Sequence, residues 1–181
     1  ILGGCAMLLG LVLILGAGGY EASRITAWQD PFSDPTDDGY QIIQSLYAIG
    51  SGGLFGLGFG QGRQKYLYLP EEHNDYIFSI ACEELGLTGA AAILLLYALL
   101  ILRGYWISMH IRDRFLSLTV AGITTLTALQ VFFNIGVVTN LLPSTGISLP
   151  FFSYGGTALL IQLGEMGIIL GASRQCSAGF L

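Results

Sequence analysis

Charge is what this sequence has least of. Of its 181 residues, 10% are Asp, Glu, Lys or Arg, against roughly a quarter in an ordinary soluble domain, while 53% are hydrophobic. That balance excludes a water-soluble globule with a charged surface, and it excludes disorder, which needs the opposite composition. Basic residues are the scarcer sign: seven Lys and Arg stand against twelve Asp and Glu, for a net charge of −5. The chain therefore lacks what a general nucleic-acid binder uses to displace phosphate counterions. Its three cysteines, Cys5, Cys82 and Cys176, have no C-x-x-C spacing; they argue against a disulfide framework or zinc site and read as small buried hydrophobes. The opening apolar run has no charged segment ahead of it, so it is expected to be a clipped spanning helix rather than a signal peptide.

What the sequence does have is long apolar runs. A spanning helix needs about 20 predominantly apolar residues, and the stretches 1–18, 75–102, 115–138 and 155–173 meet that need. The expected fold class is an all-α polytopic membrane protein with four transmembrane helices in a single membrane domain. Arg103, Arg112 and Arg114, with His110, face only Asp113 in the connection 103–114, and Arg174 closes the last span. By the excess of Lys and Arg in short cytoplasmic loops, 103–114 is expected inside the cell and the loops 19–74 and 139–154 on the outer face. Gln130 and Asn134, one turn apart on one face, read as hydrogen-bonding groups within the bundle or as substrate contacts.

The long outer loop has three textures. Residues 20–39 are polar, punctuated by Asp30-Pro31, Asp34-Pro35 and Asp37-Asp38-Gly39, and read as turns. In 41–49, Ile42, Ile43, Leu46, Tyr47 and Ile49 fall along one side of a helix, which suggests a short amphipathic helix at the interface. Seven glycines then crowd 50–62 and lead into Arg63 and Lys65. This is neither a P-loop, since no Gly-Lys-Ser/Thr follows, nor a dinucleotide fingerprint. Two readings stay open: a flexible linker, or a backbone cradle for a lipid phosphate with Arg63 and Lys65 at headgroup depth.

The stretch 67–75, Leu-Tyr-Leu-Pro-Glu-Glu-His-Asn-Asp, ends where the second span begins. Asn74 or Asp75 could cap that helix; alternatively Asp75 sits at the water–lipid boundary, where partial desolvation suits a carboxylate to general-base work. Glu83 and Glu84 follow inside the span, about 80° and 180° around the helix from Asp75, so they cannot both line one cavity with it. The uncharged loop 139–154 mixes prolines, hydroxyls and aromatics and can dip back into the interface where protein or water satisfies its backbone. Glu165, inside the last span, has no evident partner in the sequence.

Taken in order, Arg24, Asp30-Pro31, Gly39-Tyr40-Gln41, the glycine run, Gln64-Lys65, Leu69-Pro70-Glu71-x-His73-x-Asp75, Glu83-Glu84-Leu85-Gly86, Gln130-x-x-x-Asn134-Ile135-Gly136, Leu142-Pro143-x-Thr145-Gly146 and Pro150-Phe151-x-Ser153-Tyr154-Gly155-Gly156 form a highly specific set. It resembles the C-terminal half of the SEDS proteins (shape, elongation, division and sporulation) across roughly 24–174. The run Gln64-Lys65-Tyr66-Leu67-Tyr68-Leu69-Pro70 is more similar to the division and sporulation members than to the elongation member. Two positions depart from the pattern: Glu165 stands where a small or apolar residue is usual, and Asn74 where Thr or Ser is common.

The resemblance implies the last four spans of a ten-helix bundle in the bacterial cell membrane, with the site loops on the outer face. It implies a glycosyltransferase that polymerises peptidoglycan strands from lipid II beside a class B penicillin-binding protein. Asp75 would be the catalytic residue, and Arg63, Lys65, His73, Glu83 and Ser153 the substrate-binding set. No cofactor is required, although a divalent cation (Mg or Mn) could share the diphosphate charge. Two other readings compete: a flippase for the lipid-linked precursor, whose sensitive polar residues would span the bilayer's depth, and a non-enzymatic division scaffold. The fragment by itself is expected to be inactive.

Overall fold

A computed structural model describes residues 20–32, 38–62 and 75–178. Five helices run through them: α1 (Tyr20–Gln29), α2 (Asp38–Gly52), α3 (Ile77–His110), α4 (Arg114–Val138) and α5 (Gly156–Ala178). The described residues contain no strand. Helices α3, α4 and α5 are long and apolar enough to cross a membrane; the span expected over 1–18 lies outside the described residues. Only 22%, 22% and 17% of the residues in their apolar windows are buried within the protein, so most of each spanning surface is left to lipid or to further protein. The chain is part of an all-helical, multi-pass membrane bundle.

Two local expectations change. The polar stretch expected to be turns contains α1, whose sequence YEASRITAWQ has no apolar stripe. Tertiary contacts hold it instead: Trp28 Nε1 donates to the Asn140 carbonyl at 3.1 Å, and Asn140 Nδ2 donates back to the Trp28 carbonyl at 3.4 Å. Helix α3 also runs past Arg103 to His110, which shortens the expected 103–114 connection to 111–113. Its last turns stay helical because Arg103 lies over the Trp106 ring at 4.3 Å and Trp106 stacks on His110 at 4.2 Å, covering the helix while the charges reach outward. Asp113 then starts α4 by accepting a hydrogen bond from the Phe115 N–H.

The amphipathic helix expected over 41–49 is present, extended to Asp38–Gly52. It is docked on the bundle rather than lying free. Ile42, Ile43, Ser45 and Ala48 are buried, and the Ser45 hydroxyl sits 2.7 Å from both the Ser79 hydroxyl of α3 and the Val138 carbonyl at the end of α4. Helices α3 and α4 form an antiparallel hairpin. Near its tip Ser117 Oγ donates to the Ser108 carbonyl and Ser108 Oγ to the Ser117 carbonyl. A Cβ on Gly104 would come within 2.4 Å of Thr124 Oγ1, the close small-residue approach by which membrane helices pack.

At 34 residues, α3 would be about 51 Å long if straight, well beyond the roughly 30 Å of hydrocarbon. It is not straight. Gly86 has φ 67 and ψ −168, a conformation open essentially to glycine alone, and it divides α3 into 77–85 and 87–110. The second part is long enough to span without the first. A break of this kind strips carbonyls from one side and N–H groups from the other, and the glycine-rich segment supplies both kinds of partner. Leu57 and Gly58 donate to the carbonyls of Glu83 and Glu84 at 3.0 and 3.1 Å, while Leu87 and Thr88 donate to the carbonyls of Gly53 and Leu54 at 2.9 and 3.2 Å.

This docking settles the open question of the glycine run against a flexible linker. It also removes the phosphate cradle for this part of it, because the N–H groups of 56, 57, 58 and 61 all have backbone acceptors. The glycines serve close approach: a Cβ on Gly56 would lie 2.1 Å from the Glu84 carbonyl oxygen, and one on Gly86 2.3 Å from Gly56 N.

Gly86→Ala is expected to cost at least about 3 kcal/mol, strain at positive φ adding to a clash with rigid backbone, read as lost thermal stability or abundance of the detergent-solubilised full-length protein. Gly122→Ala on α4, where a Cβ meets nothing within 4 Å, should be neutral or stabilising by up to about 1 kcal/mol through helix propensity alone.

Candidate functional site

Asp75 lies on the turn that leads into the short arm of α3, half-buried. Three pieces of chain far apart in sequence meet there. From α4, Asn134 Nδ2 donates to the Asp75 backbone carbonyl at 2.8 Å and to the Ile147 carbonyl at 2.8 Å. From the 139–155 loop, Gly146 adopts φ 67, and a Cβ there would sit 3.7 Å from Asp75 Oδ2. From α1, Arg24 Nη1 donates to the Ser144 carbonyl at 3.2 Å.

Tyr76, only 3% exposed, registers the local electrostatics. Burial, and after it the Asp75 charge, push its phenol up to about 12, while Arg24 pulls the other way. Carboxylate and guanidinium therefore both act on the same buried ring. The Tyr76 hydroxyl and Asn134 Oδ1 are buried without a hydrogen-bond partner.

A groove of about 630 Å³ opens beside this turn, lined by Ile77, Phe151, Phe152, Ser153 and Tyr154 among others. Its wall is held by side chains from two spanning helices. The Tyr97 hydroxyl of α3 donates to the Pro150 carbonyl, and Gln162 Oε1 of α5 accepts from Phe151 N–H at 2.8 Å, fixing Phe151 at φ 65. Ser153 Oγ accepts from Leu149 N–H at 2.7 Å and closes the turn.

Of the residues singled out from the sequence, Asp75 stands at the head of the broken helix and Ser153 on the adjacent groove. Glu83 and Glu84 are 1% and 9% exposed, and both turn toward Gly62, where a Cβ would lie 2.9 Å from Glu83 Oε2 and 3.2 Å from Glu84 Oε1. Arg63, Lys65 and His73 lie outside the described residues. Among the described residues no group of three or more His, Cys, Asp or Glu could hold a metal ion. Sequence reasoning left out Tyr76, and it did not connect Gly146, Arg24 or Asn134 with Asp75. The available signals were one Arg in an acidic loop and one amide in an apolar span, neither of which names its partner.

With a carboxylate at the head of a broken membrane helix, beside a groove walled by a pinned loop, the chain is part of a multi-pass membrane protein with a candidate site at one end of its described bundle. The comparisons give the family. The sequence matches the FtsW/RodA/SpoVE family model, described as "Cell cycle protein", over residues 1–178, and the chain belongs to that family. It is 50% identical over 171 residues to Stage V sporulation protein E of Bacillus subtilis (strain 168), covering 94% of this chain and 46% of that protein. It is 45% identical over 172 residues to the "Probable peptidoglycan glycosyltransferase FtsW" of Geobacter sp. (strain M18), covering 95% and 47%. A solved structure described as "Structural coordination of polymerization and crosslinking by a peptidoglycan synthase complex" superposes with a TM-score of 0.72 at 30% identity, over 96% of this chain and 47% of that one. The chain thus spans about half the length of the relatives it matches.

Because the Tyr76 hydroxyl has no partner, Tyr76→Phe should leave stability at neutral pH unchanged or raise it by about 1 kcal/mol. The sign in alkali follows from the raised value. The neutral phenol's contribution is complete below pH 10, the group's ordinary value, and is lost as pH rises toward 12. Thermal unfolding of the full-length protein between pH 10 and 12 should therefore fall less steeply for Tyr76→Phe than for the parent.

Proposed function

We propose that this chain is the C-terminal half of a peptidoglycan glycosyltransferase that polymerises glycan strands from lipid II at the outer face of the bacterial cell membrane. The observation that carries the reading is the setting of Asp75: half-buried, at the head of a broken spanning helix, clamped through its own carbonyl and next to the groove that Ser153 lines. The names of the relatives support the chemistry. The structure of a complex that polymerises and cross-links supports a class B penicillin-binding protein as partner.

In the proposed step the acceptor sugar's 4-hydroxyl attacks the donor's anomeric carbon. The new glycosidic C–O bond forms as the bond to the diphosphate oxygen breaks. The hydroxyl proton passes to Asp75, and the polyprenyl diphosphate leaves with the bonding pair. A diphosphate is already a good leaving group, so the chemistry needs a base and positive charge rather than a strong acid. Asp75 is the base; Arg63, Lys65 and His73 bind the diphosphate and its sugar, placing cations where negative charge develops. A single displacement inverts the anomeric centre. Because the diphosphate's charge falls to these basic side chains, the step as written calls on no metal ion.

The test uses the full-length protein with its penicillin-binding partner and purified lipid II. Asp75→Asn is expected to lower glycan polymer by at least about 1000-fold, in the range spanned by loss of a positioned base, with abundance and partner binding unchanged. Polymer at the parent level from that variant would remove the reading in favour of a transporter or a scaffold.

A further inference from the structure

We infer that Asn134 is a positioning residue for Asp75: one buried amide holds the Asp75 turn and the 144–147 loop in register and so sets the direction of the carboxylate. The inference rests on the glycosyl-transfer reading above.

Asn134 lies in the last turns of α4 and is 1% exposed. Both neighbours of its Nδ2, the carbonyls of Asp75 and Ile147 at 2.8 Å each, are acceptors. Only the NH2 end of the amide can face them, and its two hydrogens serve one carbonyl each. The backbone hydrogen bonds among the described residues include none between the Asp75 turn and this loop; the amide joins them. Next to the clamped Ile147 carbonyl is Gly146, whose left-handed φ of 67 turns the chain toward the carboxylate, so that a Cβ on it would lie 3.7 Å from Asp75 Oδ2. A shift of Ile147 therefore moves the stretch of loop that faces the carboxylate. Arg24 steadies the same loop two residues earlier, through the Ser144 carbonyl.

Catalysis is far more sensitive to such a register than folding is. A misplacement of about 1 Å in a reacting group can cost about 100-fold in rate, whereas one polar contact between membrane helices contributes little to stability. A positioning role and a purely structural one therefore separate experimentally.

The experiment takes the full-length protein with its penicillin-binding partner and fluorescent lipid II, and expresses kcat per molecule that binds the labelled lipid. Asn134→Leu, close in size but without donors, should lower that kcat about 100-fold while KM stays within about twofold. Gly146→Ala, which strains the loop at positive φ and brings a methyl toward Asp75 Oδ2, should do likewise; if Asn134→Leu does not fold, this variant decides by the same criteria. A parental kcat per lipid-binding molecule overturns the inference, as does a loss confined to the amount of binding-competent protein. Asp75→Asn is run in parallel. If it is inactive while Asn134→Leu turns over normally, only the positioning role falls; if Asp75→Asn itself turns over normally, the glycosyltransferase reading falls and takes the positioning role with it.

Discussion

A helix interrupted within a membrane bundle leaves main-chain carbonyls and N–H groups without their helical partners, and away from water each must find another inside the protein. The break at Gly86 meets that demand with four backbone hydrogen bonds to residues 53–58, and much of the described structure follows from it. The docked segment must lie backbone to backbone on α3, which requires glycine at the contacts. Helix α2, directly before it, must come down onto the bundle, which Ser45 secures through Ser79 and Val138. The short arm of α3 is freed from the axis of the long arm, so that Asp75 is aimed by its neighbours rather than by the spanning helix.

Those neighbours come from parts of the chain far apart in sequence. Helix α1 supplies Arg24, α4 supplies Asn134, and the loop between α4 and α5 supplies Gly146. The Ser153 turn and its groove depend in turn on Tyr97 of α3 and Gln162 of α5. Polar side chains in this bundle are thus spent mainly on main-chain atoms: of loops in the case of Asn134, Tyr97, Gln162 and Arg24, and of helix ends in the case of Ser45 and Ser108. That use suits a membrane setting, where irregular backbone is tolerated only if protein satisfies it.

The large bare surfaces of α3, α4 and α5 carry a complementary message. Leu95, Leu96, Leu102, Leu118, Leu160 and Leu170 are all exposed in the described structure. In water such a surface would drive association; against lipid tails or further helices it is the expected finish. Relatives are about twice as long as this chain, a length that leaves room for further helices against part of it.

Apolar runs longer than a bilayer is thick were legible in the residues because each states its own environment: 77–110, 114–138 and 156–178 contain the stretches that hydropathy marks. The spacing of Ile42, Ile43 and Ile49 likewise marked α2, and an ordered series of motifs marked the family. Helix α1 was not legible, since its stability comes from Trp28 and Asn140 rather than from its own pattern. Nor was the break in α3, because a glycine inside an apolar helix is ordinarily tolerated and only the docking of 53–58 makes φ 67 the favoured state. Composition and periodicity, being properties of neighbours in sequence, determined class and span, but not the face α2 buries, where Ser45 and Ala48 are covered and Tyr47 is exposed. Only the tertiary structure decided that one amide on α4 and one loop glycine meet Asp75, because hydrogen bonds between main-chain carbonyls and distant side chains leave no periodic trace in the residues that make them.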